Sequence, residues 1–145
     1  MRAVAFLAFV ALALCLWAGA GAAQSAAPAT PGLLLELNAA QDQDGACRLT
    51  FVAENRLGVA LEAVVFEAVF FTTAGTVDRL TLLDFQDLPE GRKRVRQFDL
   101  PGTGCAALGQ VLFNAASECR GPGVAPGLCM TALDLRSRTG MEISG

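Results

Sequence analysis

Short runs rich in β-branched and aromatic residues recur along this chain, and each run ends at a cluster of turn-forming residues. Residues 47–54 show the pattern most clearly, because apolar and polar side chains alternate there as in a strand with one buried face. Turn sequences separate the runs at 41–45, 55–58, 88–91 and 101–104. About seven such runs predict an all-β fold, a seven-stranded antiparallel sandwich of the immunoglobulin-like type.

Residues 61–73 form the longest apolar run and allow two interpretations. Leu, Ala and Glu favour a helix over residues 57–71, whereas the many Val and Phe residues and the flanking Gly58 and Gly75 favour a strand. Apolar residues would cover every face of such a helix, so we expect a central strand. One helical turn is expected at residues 105–108. The other predicted strands are residues 33–37, 47–54, 76–85, 92–100, 109–116 and 128–135.

The predicted core consists of apolar residues that alternate along these strands. The inward face of residues 64–71 stays open, because both faces are apolar and the run has a glutamate on each, Glu62 and Glu67. The expected core residues are Leu49, Phe51, Val64, Phe66, Phe70, Leu80, Leu82, Val95, Phe98, Val111, Phe113, Met130, Leu133 and Leu135.

The N-terminus has the three-part layout of a secretory signal peptide. Arg2 precedes residues 3–23, which carry no charge and end in a run of Gly and Ala. Cleavage is expected after Ala23, to within a residue or two, because signal peptidase needs small side chains before the cut. An uncleaved anchor is the alternative, but the Gly and Ala run is weakly hydrophobic for a membrane span.

This layout divides the chain into a signal peptide (1–23), a disordered spacer (24–32) and a β-sandwich domain (33–145). The spacer prediction rests on its Ala, Pro, Ser and Thr content. We expect the protein to be periplasmic or secreted, with no membrane span after cleavage. A lipoprotein is excluded because Leu14, which is not a small residue, precedes Cys15.

Four cysteines remain after cleavage, and this even number in an exported chain predicts two disulfides. Spacing alone allows three pairings. Cys119 and Cys129 flank a loop rich in Gly and Pro, so a bridge across its base is easy and leaves Cys47 to pair with Cys105. A zinc site or a redox-active pair is disfavoured, because no C-x-x-C spacing is present.

Histidine and tyrosine are absent from the chain. The absence of histidine excludes Ser-His-Asp and Cys-His catalysis and histidine-bound metals. A chain this short also has no insertions that would build a cleft. We therefore expect no enzymatic activity and no cofactor.

Carboxylates offer the alternative interpretation. Asp84, Asp87 and Glu90 lie within seven residues, and Asp42 and Asp44 precede a glycine. Hard cations such as calcium take oxygen ligands, and a pair of carboxylates can hydrolyse glycosides. Neither group has the D-x-D-x-D-G spacing of a calcium loop. The alternative function is a small carboxylate-based hydrolase or a calcium-dependent protein.

The densest charge cluster is basic, and it lies in a predicted strand. Arg92, Arg94 and Arg96 share one face if the segment is extended, with Lys93 and Val95 on the other. The three arginines are a candidate binding surface for an anionic partner, or they protect a sheet edge from aggregation, which we favour. Without Arg2 the chain has 10 basic and 14 acidic residues, a net charge of −4, so nucleic acid is not an expected partner.

Several segments together resemble known exported proteins. The set consists of residues 51–55, Gly58, Leu61, Glu62, residues 66–75 and residues 88–91. It is similar to immunoglobulin/fibronectin-like exported modules, in which a strand ending in Glu-Asn precedes a second strand and a Gly turn. With Cys47, residues 105–114 and the late cysteine pair, the chain also resembles small exported proteobacterial proteins labelled Tat pathway signal sequence domain proteins. Unlike that label, this chain has no twin arginines.

The resemblance implies a compartment and a fold, and it carries no catalytic residue. Taken together, the sequence predicts an exported, non-catalytic β-sandwich that acts as a binding or accessory module of the cell envelope. An envelope protein is the expected partner. The oligomeric state is not predicted.

Overall fold

A computed structural model describes residues 30–145 of the chain. The predicted signal peptide and residues 24–29 of the predicted spacer lie outside this range. Eight strands, one 3₁₀ turn (Cys105–Ala107) and one short helix, α1 (Leu128–Thr131), make up the fold. The strands are β1 (Leu33–Gln43), β2 (Ala46–Asn55), β3 (Leu61–Thr72), β4 (Val77–Leu88), β5 (Lys93–Pro101), β6 (Leu108–Arg120), β7 (Leu133–Ser137) and β8 (Glu142–Ser144).

The strands form two four-stranded sheets that enclose one core. Sheet A has the order β5-β2-β1-β7, and sheet B has the order β4-β3-β6-β8. The predicted all-β sandwich is confirmed. All strand pairs are antiparallel except the two that place β7 beside β1 and β8 beside β6, which are parallel. Within residues 30–145, no helix has the length and apolar character needed to cross a membrane.

Five phenylalanine rings form the centre of the core. Their centroids lie between 5.2 and 6.4 Å apart, mostly in edge-to-face contact, which is the arrangement that aromatic rings prefer. The rings come from both sheets, so they hold the sandwich together across its thickness. They are Phe51, Phe66, Phe85, Phe98 and Phe113.

The structure settles which face of β3 is inside. Val64, Phe66 and Phe70 are fully buried, whereas Glu67 lies on the opposite, outer face. The predicted core is confirmed at Leu49, Phe51, Val64, Phe66, Phe70, Val111 and Phe113, which are all buried. Phe98, Met130, Leu133 and Leu135 are partly buried and pack against this core.

Three predicted core residues are wrong: Leu80, Leu82 and Val95 are 56%, 57% and 58% exposed. Apolar residues lie on both faces of β4, and the face that points into the core is the one with Leu83 and Phe85. In β5 the inward phase contains Phe98 and Leu100, so Val95 necessarily points outward.

The predicted strand over residues 128–135 is wrong in its first half. Residues 128–131 form α1, and only the second half contributes to a strand, β7. Gly127 has a left-handed backbone (φ 82°), which turns the chain into this helical turn. The disulfide at Cys129 then holds the turn against β6. The short C-terminal strand β8 has no counterpart among the predicted strands.

Candidate functional site

Both predicted disulfides are present. Cys47 and Cys105 are bonded with a Cα–Cα distance of 4.8 Å, and Cys119 and Cys129 with one of 5.9 Å. The first bond joins β2 of sheet A to the 3₁₀ turn that leads into β6 of sheet B, so it ties the two sheets together. The second fastens α1 to the end of β6. All four thiols are therefore oxidised and unavailable as zinc ligands.

Arg92, Arg94 and Arg96 do not form a single row that faces solvent. Arg94 and Arg96 lie in β5, the edge strand of sheet A, and share its inward phase with Phe98. Arg96 Nε donates to the Phe85 carbonyl oxygen at 2.8 Å, and its Nη2 donates to the Asp87 carbonyl oxygen at 3.2 Å. These bonds cross the open side of the sandwich from sheet A to β4 of sheet B.

Asp87 brings the two strand arginines together. Its carboxylate lies 3.5 Å from Arg96 Nη2 and 3.7 Å from Arg94 Nη2. Arg92 precedes β5, is exposed, and has no ion pair among the residues that the structure describes. Two of the three candidate guanidiniums are thus already engaged with β4. A role for Arg92, Arg94 and Arg96 in binding a partner stays a prediction.

Two of the candidate calcium ligands, Asp42 and Asp84, have other structural roles. Asp84 Oδ1 accepts a hydrogen bond from the Gln86 backbone at 2.7 Å, which supports the left-handed backbone of Gln86 (φ 59°). Asp42 Oδ1 accepts one from the Cys105 backbone at 2.7 Å. Across residues 30–145, no three His, Cys, Asp or Glu side chains converge as a metal site.

A buried amide that the sequence analysis did not single out closes one end of the sandwich. Asn55 is fully buried, and its Nδ2 donates to the carbonyl oxygens of Val59 (2.7 Å) and Leu88 (2.8 Å). Its Oδ1 accepts from the Leu57 backbone at 3.0 Å. Asn55 lies on the inward face of β2, in line with Phe51 and Ala53. A polar residue at a position where the alternation predicts a buried side chain is the sequence signal that could have identified Asn55.

The outer face of sheet A is charged, and most of its charges are paired. Arg48 donates to both carboxylate oxygens of Asp99 at 2.7 and 2.8 Å. Arg138 donates to Glu36 at 2.7 Å. These hydrogen bonds lower the pKa of Asp99 and of Glu36 below their usual range. The hydrogen bond from Arg56 likewise lowers the pKa of Glu54.

The outer face of sheet B has a different character. Val77, Leu80 and Leu82 project from β4 and are 61%, 56% and 57% exposed. Leu80 pairs with Val69 and Val77 pairs with Phe71 on the neighbouring strand, so the apolar strip continues onto β3. This face presents apolar surface beside the part of the β4 edge, residues 77–84, with which no described strand pairs on the outer side.

Two shallow recesses lie at the end of the sandwich that carries the Cys47–Cys105 bond. The larger, of about 390 Å³, is lined by small and apolar residues that include Ala40, Leu108 and Met141. No carboxylate, amine or free thiol is among its lining residues. The second, of about 350 Å³, contains a single carboxylate, Asp42, which is already bonded to the Cys105 backbone.

Comparisons with protein families, with characterised proteins and with solved structures find no match for this chain. A function is therefore inferred from the geometry of the described residues.

Proposed function

We propose that this protein is an exported β-sandwich that binds another protein of the cell envelope and performs no catalysis. The observation that carries the proposal is the grouping of exposed apolar side chains on one free edge strand. Val77, Leu80 and Leu82 are each more than half exposed on β4, whereas large apolar side chains elsewhere in sheet B are mostly covered. Apolar surface grouped in this way is typical of contact with another macromolecule.

The two disulfides support an extracytoplasmic location. Disulfides form and persist in oxidising compartments such as the bacterial periplasm. The Cys47–Cys105 bond links the two sheets, so oxidation adds a covalent connection between them. The N-terminal residues 1–23, with their uncharged run, add the export signal that such a location needs. The resemblance to small exported proteobacterial proteins points to the same compartment and stays a prediction.

The charged side chains support a binding role over a catalytic one. Catalysis by carboxylates needs two of them to meet in a recess with shifted pKa values. Here the carboxylates with shifted pKa values, Glu36, Glu54 and Asp99, are each hydrogen-bonded to arginine on an open sheet face. Their pKa values are lowered rather than raised, so none is prepared as a general acid.

Crosslinking in the periplasm of the source cell, followed by identification of the crosslinked protein, tests this function. We expect one or a few defined envelope proteins to crosslink. A parallel screen of the purified protein against hydrolase substrates, with and without calcium, is expected to show no turnover and no calcium-dependent change in melting temperature. Turnover that disappears in Asp84→Asn, or stabilisation by calcium, would support the carboxylate-based alternative instead.

A further inference from the structure

We propose that the free edge of β4, together with the apolar strip on the outer face of sheet B, binds an extended segment of the partner protein. The segment joins β4 as an added strand, with apolar side chains in the middle of its outward face and basic side chains at both ends of that face. This inference rests on the proposed binding function, because it names the surface and the chemistry of the partner.

The first support is the continuity of the apolar strip, which is defined here as Val69, Phe71, Val77, Leu80 and Leu82. Three of its members are more than half exposed, and all three belong to β4. The strand register places Val69 of β3 beside Leu80, and Phe71 of β3 beside Val77. Exposed apolar residues that occur singly are ordinary, but a contiguous strip on one edge is typical of an interaction site.

The second support is the contrast between the two edge strands on the same side of the sandwich. β4 is an edge of sheet B. Arg96 caps two carbonyls near one end of its outer side, and no described strand pairs with the outer side of residues 77–84. β5, the edge of sheet A, carries Lys93, Arg94 and Arg96, and ends at Pro101. Basic residues and proline discourage strand addition, whereas a long edge with exposed apolar residues invites it. Strand addition supplies affinity through backbone hydrogen bonds and specificity through alternate side chains.

The third support is the sign of the charges around the strip. Glu67 pairs with Leu82 across β3 and β4, and Asp84 and Glu118 flank Val65 on the two strands beside β3. Of the two basic residues of sheet B, Arg79 pairs with Asp78 and Thr103, and Arg120 pairs with Glu118, so Glu67 and Asp84 carry the uncompensated negative charge beside the strip. An acidic border around an apolar strip is complementary to a basic and apolar segment.

The same charges argue against a second copy of this chain as the occupant. A β4–β4 pair would bring together two copies of the same acidic outer face, with Glu67 and Asp84 on each. Like charges brought together in this way oppose pairing. A foreign segment with basic residues at these positions has no such conflict.

A peptide-binding experiment on the exported protein tests the surface. The probe is a nine-residue peptide of sequence Lys-Thr-Val-Thr-Val-Thr-Val-Thr-Lys, labelled for fluorescence polarisation, in which the valines and lysines share one face of an extended strand. Two comparison peptides replace both lysines with glutamate, or two of the three valines with proline, which cannot donate to a strand ladder. We expect the first peptide to bind, with an affinity that falls as salt rises, and both comparison peptides to bind about tenfold more weakly or worse.

The paired variants separate this surface from a general attraction to an acidic protein. Leu80→Asp with Leu82→Asp is expected to weaken the probe peptide about tenfold or more. Val95→Asp is the matched control, because Val95 is 58% exposed on the edge strand of the other sheet, and it is expected to bind as the wild type does. All these changes add negative charge, so a purely electrostatic attraction would strengthen in both proteins.

Three results would overturn the proposal. One is equal binding of the proline-containing peptide, and another is equal loss of binding in both variants. The third is a concentration-dependent dimer that Leu80→Asp with Leu82→Asp abolishes, which would make a second copy the occupant. Envelope crosslinks that survive the double variant would keep the binding function and reject this surface, whereas the absence of any crosslink would reject the function itself.

Discussion

Phe66 illustrates how single residues stabilise the core of this sandwich. It is fully buried in β3 and contacts Phe85 of β4 and Phe113 of β6, both in sheet B, in edge-to-face geometry. Phe66→Ala is expected to lower the free energy of unfolding by about 3–5 kcal/mol, as aromatic truncations in cores do. Leu80→Ala is the control and is expected to change it by less than about 0.5 kcal/mol, since Leu80 is 56% exposed. Urea denaturation of both variants measures the difference, and a near-normal midpoint for Phe66→Ala would contradict the placement of the core.

Asn55 stabilises the fold through polar contacts rather than apolar ones. Its amide group satisfies the buried backbone at Leu57, Val59 and Leu88, which joins the end of β2 to the end of β4. Asn55→Ala is expected to be destabilising by about 1–3 kcal/mol for each buried group left without a partner. The exposed amide variant Asn114→Ala should have a small effect. Equal midpoints for the two variants in thermal unfolding would refute this role.

At the scale of the strand, β5 is fastened to β4 by Arg96. The side chain of Arg96 is 17% exposed and donates to the carbonyl oxygens of Phe85 and Asp87. Arg96→Gln is expected to lower the free energy of unfolding by about 1–2 kcal/mol and to raise light scattering on storage, because the edge of sheet A loosens. Arg92→Gln, which changes an exposed residue outside the strand, should leave both measurements unchanged. The reverse order of effects would show that Arg92 is the structural residue.

The outer face of sheet A predicts how stability depends on pH. Hydrogen bonds from arginine lower the pKa values of Glu36, Glu54 and Asp99 in the folded protein relative to the unfolded chain. A lowered folded pKa contributes stability above the unfolded pKa, at about 4, and that contribution is lost as pH falls through the folded value. We expect a plateau of stability above about pH 5 and a steady decline below it.

A charge-neutral variant is the control for this pH dependence. Combining Glu36→Gln, Glu54→Gln and Asp99→Asn removes the three titrating groups with little change in shape. The decline in unfolding free energy on acidification should be shallower in this variant than in the wild type. Identical slopes in the two proteins would assign the acid sensitivity to other carboxylates.

Taken as a whole molecule, the sandwich and its two disulfides were predictable from the sequence, because alternation and turn residues are local signals. The cysteine pairing was predictable as well, since the loop between Cys119 and Cys129 allows an easy bridge. Which face of β4 and of β5 points inward was not predictable from the sequence. Apolar residues lie on both faces of each strand, and only packing against the other sheet determines which face is buried.

Features that depend on contacts distant in sequence were missed for the same reason. Asn55 acts only once Leu88 lies beside it, and Arg96 crosses to β4 only in the assembled sandwich. Leu80 and Leu82 are predicted core residues because they are apolar, although the structure leaves both exposed. Their exposure makes this predicted part of the core the surface on which the proposed function depends.

The most direct test of the central claim, an exported and oxidised sandwich, is the intact mass of the protein recovered from outside the cytoplasm. The mass should correspond to a chain that begins at Ala23, Gln24 or Ser25 and lacks four hydrogens, because both Cys47–Cys105 and Cys119–Cys129 are formed. A full-length chain that retains its N-terminus, or a mass that shows reduced cysteines, would contradict the account.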